Sequence, residues 1–249
     1  MSDHKPARLA PLAFWLVVIA AGVAVASVLA TRFGVVDFRG GLLGVAGAML
    51  VVAIGAALGL VGVIRALGGK PGLPRAAIAA VLGLAVLALP VMSAVRGLGV
   101  PQIHDITTDL DTPPDFVAVV PLRGEGANPL DRSTPDLGTM QRKAYPQLQT
   151  LVVADDAATV FEAALAEAAA RGWDVVDAAA PVDGEPGTIE ATDTTTLFGF
   201  MDDVVIRIRD DGPGRTLVDL RSVSRVGQSD LGANAARIEA FQEALKTRL

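Results

Sequence analysis

Three stretches of this chain, Leu12–Ala30, Gly41–Ile64 and Ala76–Val95, contain no Asp, Glu, Lys, Arg or His. No other feature limits the fold so strongly, because an uncharged apolar run of about 20 residues is what a helix needs to cross about 30 Å of hydrocarbon. Basic residues punctuate the runs. Lys5 and Arg8 precede the first, Arg32 and Arg39 follow it, Arg65, Lys70 and Arg75 precede the third, and Arg96 closes it. Phe14 and Trp15 stand near one end of the first run, where an aromatic belt lies. That run also exceeds the 7–15 or so residues of a cleavable signal core, so it reads as a retained span. Residues 1–99 are expected to form a membrane anchor of three transmembrane helices, and residues 100–249 a domain beyond it.

Lys and Arg are more numerous in the N-terminal tail and second loop than in the first loop and after the third run. This bias places the N-terminus in the cytoplasm and, after three crossings, the domain on the opposite side. The expected setting is the bacterial inner membrane, multi-pass, with a periplasmic or extracellular domain. The spans hold no ionisable residue. Proton relays and ion paths need such residues, so the spans read as an anchor rather than a transport path. Gly40 and Gly44, and Gly55 and Gly59, lie four apart. They suit close helix packing, within the three spans in preference to between two chains. Pro90 is placed to kink the third helix.

The two parts differ in charge. Residues 1–99 carry eight Lys and Arg against two Asp, and residues 100–249 carry thirteen against twenty-five Asp and Glu. An acidic domain argues against a nucleic-acid partner. The lack of cysteine excludes disulfides, a thiol nucleophile and zinc–cysteine sites. No Gly-x-Ser-x-Gly elbow, HExxH or EF-hand spacing occurs, and no metal or cofactor is expected.

Within the domain, residues 96–114 read as a tether of Gly, Pro, Asp and Thr. A short apolar run at Phe116–Val120 leads into an irregular stretch through Arg142 that should wrap the surface. Leu151–Val153 predicts a strand, and Asp155 or Asp156 caps a helix over Ala157–Arg171 with Val160, Phe161, Ala164, Leu165 and Ala168 on one stripe. Strands are expected at Trp173–Val176 and Thr188–Thr192, then a hairpin of Val204–Arg209 and Arg215–Ser224. Alternation sets Val204, Ile206 and Ile208 on one face with Val218 and Leu220. Placing Val204 opposite Leu220 also sets Asp203 opposite Arg221 as a cross-strand ion pair. Leu231, Ile238, Phe241 and Leu245 mark a last helix with Ser229 or Asp230 at its N-cap. The expected fold is therefore three transmembrane helices followed by an α+β domain, an antiparallel sheet with helices on one face.

The segment Arg221-Ser222-Val223-Ser224-Arg225-Val226-Gly227-Gln228-Ser229-Asp230-Leu231-Gly232, with Asn234 and Arg237, resembles the family called domain of unknown function 1499. So do Gly199–Asp203, Ile103–Asp109, Gly172-Trp173 and Ile189–Thr192. The resemblance covers about residues 100–249 and implies a bacterial protein, sometimes behind membrane spans, but no activity.

Asp203, Arg221, Ser222, Ser224, Arg225, Ser229, Asp230, Asn234 and Arg237 form the candidate cluster. Guanidinium groups, hydroxyls and free N–H groups at a helix start suit an anionic small molecule or lipid headgroup. The same arginines can instead pair with Asp202, Asp203, Asp219 and Asp230 as a framework that needs no ligand. The chain thus reads as a membrane protein with a binding or scaffolding domain. The alternative is an envelope hydrolase using His104 with a serine of the Arg221–Asp230 segment.

Overall fold

In the computed structural model, residues 8–182 and 184–249 are described, Arg96 by its backbone alone. They fall into two compact units, residues through Leu98 together with Thr196–Gly199, and Gly99–Thr195 with Phe200–Leu249. Lys5 lies outside the described residues.

The first unit contains α1 (Leu9–Arg32), α2 (Phe38–Leu67) and α3 (Leu73–Gly97). All three are long and apolar enough to cross a membrane. A helix satisfies its own backbone polar groups, which hydrocarbon cannot do. Small residues let the helices meet. Ala10, Ala13, Val17, Ala20 and Ala24 form the buried seam of α1. A Cβ on Gly59 of α2 would lie 2.7 Å from the Ala80 backbone nitrogen and 3.0 Å from the Ala76 oxygen on α3. Gly55 meets the α1 backbone at Ala13 and Val17 in the same way, so the glycines serve packing within the unit. α3 continues through Pro90. The Asp37 side chain caps α2 by accepting from the Gly40 N–H at 2.7 Å.

The second unit holds β1 (Asp105–Thr107), a 3₁₀ turn (Val120–Leu122), α4 (Leu137–Ala144), β2 (Leu151–Val153), α5 (Ala157–Ala170), β3 (Asp174–Ala179), β4 (Gly187–Thr194), β5 (Met201–Asp210), β6 (Thr216–Ser224) and α6 (Ala233–Arg248). The strands make one antiparallel sheet in the order β1-β6-β5-β4-β3, with β2 pairing the other half of β6. Even-numbered residues of β5 and β6, among them Val204, Ile206, Ile208, Val218 and Leu220, enter the main core. There they meet Val160, Phe161, Ala164 and Ala168 of α5 and Ala235, Ile238, Phe241 and Leu245 of α6. Trp173 stacks on Phe241 at 5.4 Å. The opposite face carries a smaller core of Phe116, Val119, Val205 and Val223.

Four sequence expectations are corrected. The β5–β6 register is displaced by two residues, so Val204 faces Ser222, Asp203 faces Val223, and Arg221 stands opposite Val205. A two-residue slip keeps every side chain on its face, so alternation cannot detect it. The turn decides. Gly212 (φ +102°) and Gly214 (φ +67°) flank Pro213, and the Asp211 N–H donates to Arg215 O at 2.9 Å. The adopted register also sets Arg207 opposite Asp219, joined at 2.9 Å. Second, the supposed tether contains β1, a buried strand on the edge of β6. Its outer side is closed by the Gln141 side chain, which accepts from Thr107 N at 3.2 Å and donates to Thr107 O at 2.5 Å. Third, the irregular stretch holds α4, which carries that glutamine. Fourth, Leu231 lies before α6, 54% exposed with φ +53°, and Gly232 occupies the N-cap position. At the start of α5, Asp156 rather than Asp155 is the cap, accepting from Thr159 N at 3.0 Å.

Candidate functional site

Strand parity divides the candidate cluster, because residues an odd number apart leave opposite faces. Asp203, Arg221 and Arg225 project to the face covered by the segment after β1. Ser222, Ser224, Asn234 and Arg237 lie on the α6 side. The sheet stands between Arg237 and the other two arginines, so no pocket is lined by all three.

On the first face Arg221, only 2% exposed, grips Asp105 with Nε at 3.1 Å and Nη2 at 2.8 Å. It also donates to the carbonyls of Pro114 (3.1 Å) and Leu130 (2.5 Å), and its guanidinium lies 5.1 Å from the Phe116 ring centre. Asp105 takes a second arginine, Arg132, at 2.5 Å. Asp203, fully buried, is shared by Arg225 (2.7 Å) and Arg123. Thr192 adds its hydroxyl to Asp203 at 3.0 Å. Burial lowers the pKa of both Arg123 and Arg132, partly offset by the carboxylates they meet. Arg225 further donates to Leu122 O at 3.0 Å. Asn128 donates to the carbonyls of Ser224 and Gly227 at 2.9 and 2.8 Å. These bonds hold the irregular segment against β5 and β6.

Glu190 of β4 completes this layer. Its carboxylate accepts from the N–H groups of Val117 (2.9 Å), Ala118 (3.0 Å) and Val119 (3.0 Å). Three converging backbone donors form a nest that suits an anion, and here a buried side chain of the same chain fills it. At the far end of the face Asp219 gathers Arg207 (2.9 Å), Arg209 (2.6 Å) and the Thr150 hydroxyl (2.6 Å).

On the second face Arg237 bonds Asp202 (2.5 Å), Asp193 (2.8 Å), Asn234 Oδ1 (2.5 Å) and Ser222 Oγ (3.0 Å). The Ser222 hydroxyl donates to Asn234 Oδ1 at 2.7 Å. The Asn234 amide donates to Ser224 Oγ and to His104 O, each at 3.0 Å. Asp230 accepts from the N–H groups of Gly232 (2.9 Å) and Asn234 (2.8 Å), anchoring the start of α6. Burial raises its pKa against those two donations, and the nearby Asp202 adds to the rise. The Ser229 hydroxyl reaches Pro101 O at 3.5 Å and accepts from Leu231 N at 3.2 Å.

His104 is half-buried at the start of β1. No hydrogen bond among the described residues joins its imidazole to a serine. It borders an open cleft of about 250 Å³ with Asn128, Asp131, Arg132, Ser133 and Gln228.

Sequence reasoning did not single out Arg123, Arg132, Asn128 or Glu190. A lone carboxylate between Ile189 and Ala191 in a half-buried strand was a usable signal for Glu190. The arginines sit in irregular chain, where no periodicity marks a buried side chain.

A family model described as protein of unknown function (DUF1499) matches residues 105–245. No curated protein matches the chain. The match spans more than half of the sequence and contains every strand of the sheet. The chain belongs to this family.

Proposed function

We propose that this family member is an integral protein of the bacterial inner membrane whose second unit, outside the cytoplasm, serves as a non-catalytic scaffolding or binding domain. The orientation rests on the basic residues Arg8, Arg65, Lys70 and Arg75, which flank one set of helix ends. One observation carries the scaffolding role. Arg221, Arg225 and Arg237 each end on a carboxylate of the same domain, at 2.8, 2.7 and 2.5 Å. A guanidinium already held by Asp105, Asp203 or Asp202 works as a strut. Within this proposal an anionic small molecule or lipid headgroup is the ligand class the arginines would still suit, and no nucleic acid is involved. The hydrolase alternative draws no support from geometry, since Ser222 and Ser224 are engaged by Asn234.

The deciding experiment is calorimetric titration of the full chain in detergent with soluble phospholipid headgroups, alongside thermal unfolding of Arg225→Ala. Scaffolding expects no heat at millimolar ligand and a lowered midpoint in the variant. Saturable heat that disappears in Arg225→Ala, with an unchanged midpoint, would replace the strut with an anion site.

A further inference from the structure

We infer that the β4–β5 hairpin tip is a lipid-facing element that enters the interfacial layer of the bilayer. The inference rests on the membrane-spanning reading above and adds a second point of attachment to it.

From Thr194 to Met201 the sequence Thr-Thr-Thr-Leu-Phe-Gly-Phe-Met carries no charge, although Asp193 precedes it and Asp202 follows. The tip is closed by its own backbone. Thr195 N donates to Phe200 O, and Phe200 N donates to the Thr195 hydroxyl, each at 2.8 Å. Leu197 is 58% exposed and Met201 42%. Exposed apolar side chains on a turn closed by these two bonds are suited to the boundary between headgroups and acyl chains.

The occupant is fixed by what the tip belongs to. Thr196–Gly199 fall in the same compact unit as the three apolar helices. Arg32, the last residue of α1, donates from Nη1 to Thr196 O at 2.5 Å. Residues beside Arg32 are also open and apolar, with Phe33 and Val35 exposed. The crossing order agrees independently. A chain that spans three times leaves α3 on the side where α1 ends, so the tip and the α1–α2 loop share one membrane face. The opposite end of β5 has the contrary character, a turn of Asp210, Asp211, Gly212, Pro213, Gly214 and Arg215. A ten-residue strand at about 3.4 Å per residue sets the two ends roughly 30 Å apart.

The chain has no cysteine, so single-cysteine variants need no background removal. Leu197→Cys, Leu50→Cys in α2 and Pro213→Cys are labelled with an environment-sensitive fluorophore in the full chain. Each is reconstituted in phosphatidylcholine–phosphatidylglycerol nanodiscs carrying nitroxide lipids. The label at position 197 should be blue-shifted and quenched severalfold by nitroxide near the headgroup. That at 50 should be quenched by nitroxide near the bilayer centre, and that at 213 by neither. Quenching at 197 no greater than at 213, with 50 quenched, would overturn the tip inference alone. A blue shift at 197 without quenching would overturn it too, since the tip would then lie against protein. An unquenched label at 50 would overturn the spanning reading and the inference together.

Discussion

Along β6, Val218 and Leu220 enter the apolar core beneath α5 and α6, while Asp219 and Arg221 enter a layer of carboxylates and guanidinium groups covered by irregular chain. Adjacent residues of one strand thus work by different physics. Around Val218 and Leu220 the helix face is held by non-directional apolar burial, which depends on area rather than on fixed partners. The other face is held by bonds with fixed lengths and partners, and a buried charge is tolerable only when each partner is in place. An irregular cover needs that specificity, because it has no helix stripe to bury. Glu190 and Arg221 supply the anchoring that periodicity supplies to α5 and α6.

The contrast can be broken most severely at Arg221. Arg221→Ala leaves Asp105 buried with Arg132 alone, and losing one partner of a buried pair costs about 3–5 kcal/mol. At about 2–4 °C per kcal/mol the midpoint should fall by roughly 6–20 °C. Trp15→Phe leaves Trp173 as the one indole, so its fluorescence follows this domain in the full chain. A double-mutant cycle with Asp105→Ala should show a coupling of about 0.5–3 kcal/mol. Full additivity would mean that the ionic layer is not a unit.

Leu220→Ala, one residue away on the other face, should cost about 2–5 kcal/mol from lost burial and cavity. It should show no coupling to Asp105→Ala beyond about 0.5 kcal/mol. In the first unit, Gly59→Leu meets the α3 backbone and should cost about 1–3 kcal/mol as overpacking. A Cβ on Gly47 meets nothing within 4 Å, so Gly47→Ala should not lower the unfolding midpoint of that unit, followed by Trp15 fluorescence in nanodiscs with Trp173→Phe.

The smallest expected effect is at Asp230. Its carboxyl is held above the ordinary value of 3.8 by burial. The folded state therefore binds the proton more tightly than the unfolded chain. The associated stability is complete below the ordinary value and is lost as pH rises through the raised one. Asp230→Asn is neutral throughout, so its midpoint relative to the parent should improve between about pH 4 and pH 7. A difference independent of pH would show that Asp230 titrates alike folded and unfolded.

Much of the helix-side architecture was legible. Val160, Phe161, Ala164 and Ala168 repeat with the helical period, and Val204, Ile206 and Ile208 with the strand period, so their burial follows from spacing alone. The candidate site was legible in residue type but not in arrangement. Arg221 and Arg225 bond Asp105 and Asp203 on one face of the sheet, whereas Arg237 bonds Asp202 on the other. Asp203 was expected against Arg221 and meets Arg225 and Arg123. Arg123 and Arg132 could not be found, because an irregular segment carries no repeat that points a side chain inward.

By itself the sequence determined three uncharged apolar runs, an acidic domain and the parity of the β5–β6 hairpin, since these depend on local composition and on the fixed periods of helix and strand. Only the tertiary structure decided which carboxylate each arginine meets, that Gln141 closes the edge of β1, and that the Glu190 carboxylate fills a nest of three backbone N–H groups. Those choices join residues up to 116 positions apart. Ionic and hydrogen-bonded partners carry no sequence period, so only the closed geometry of the fold selects among them.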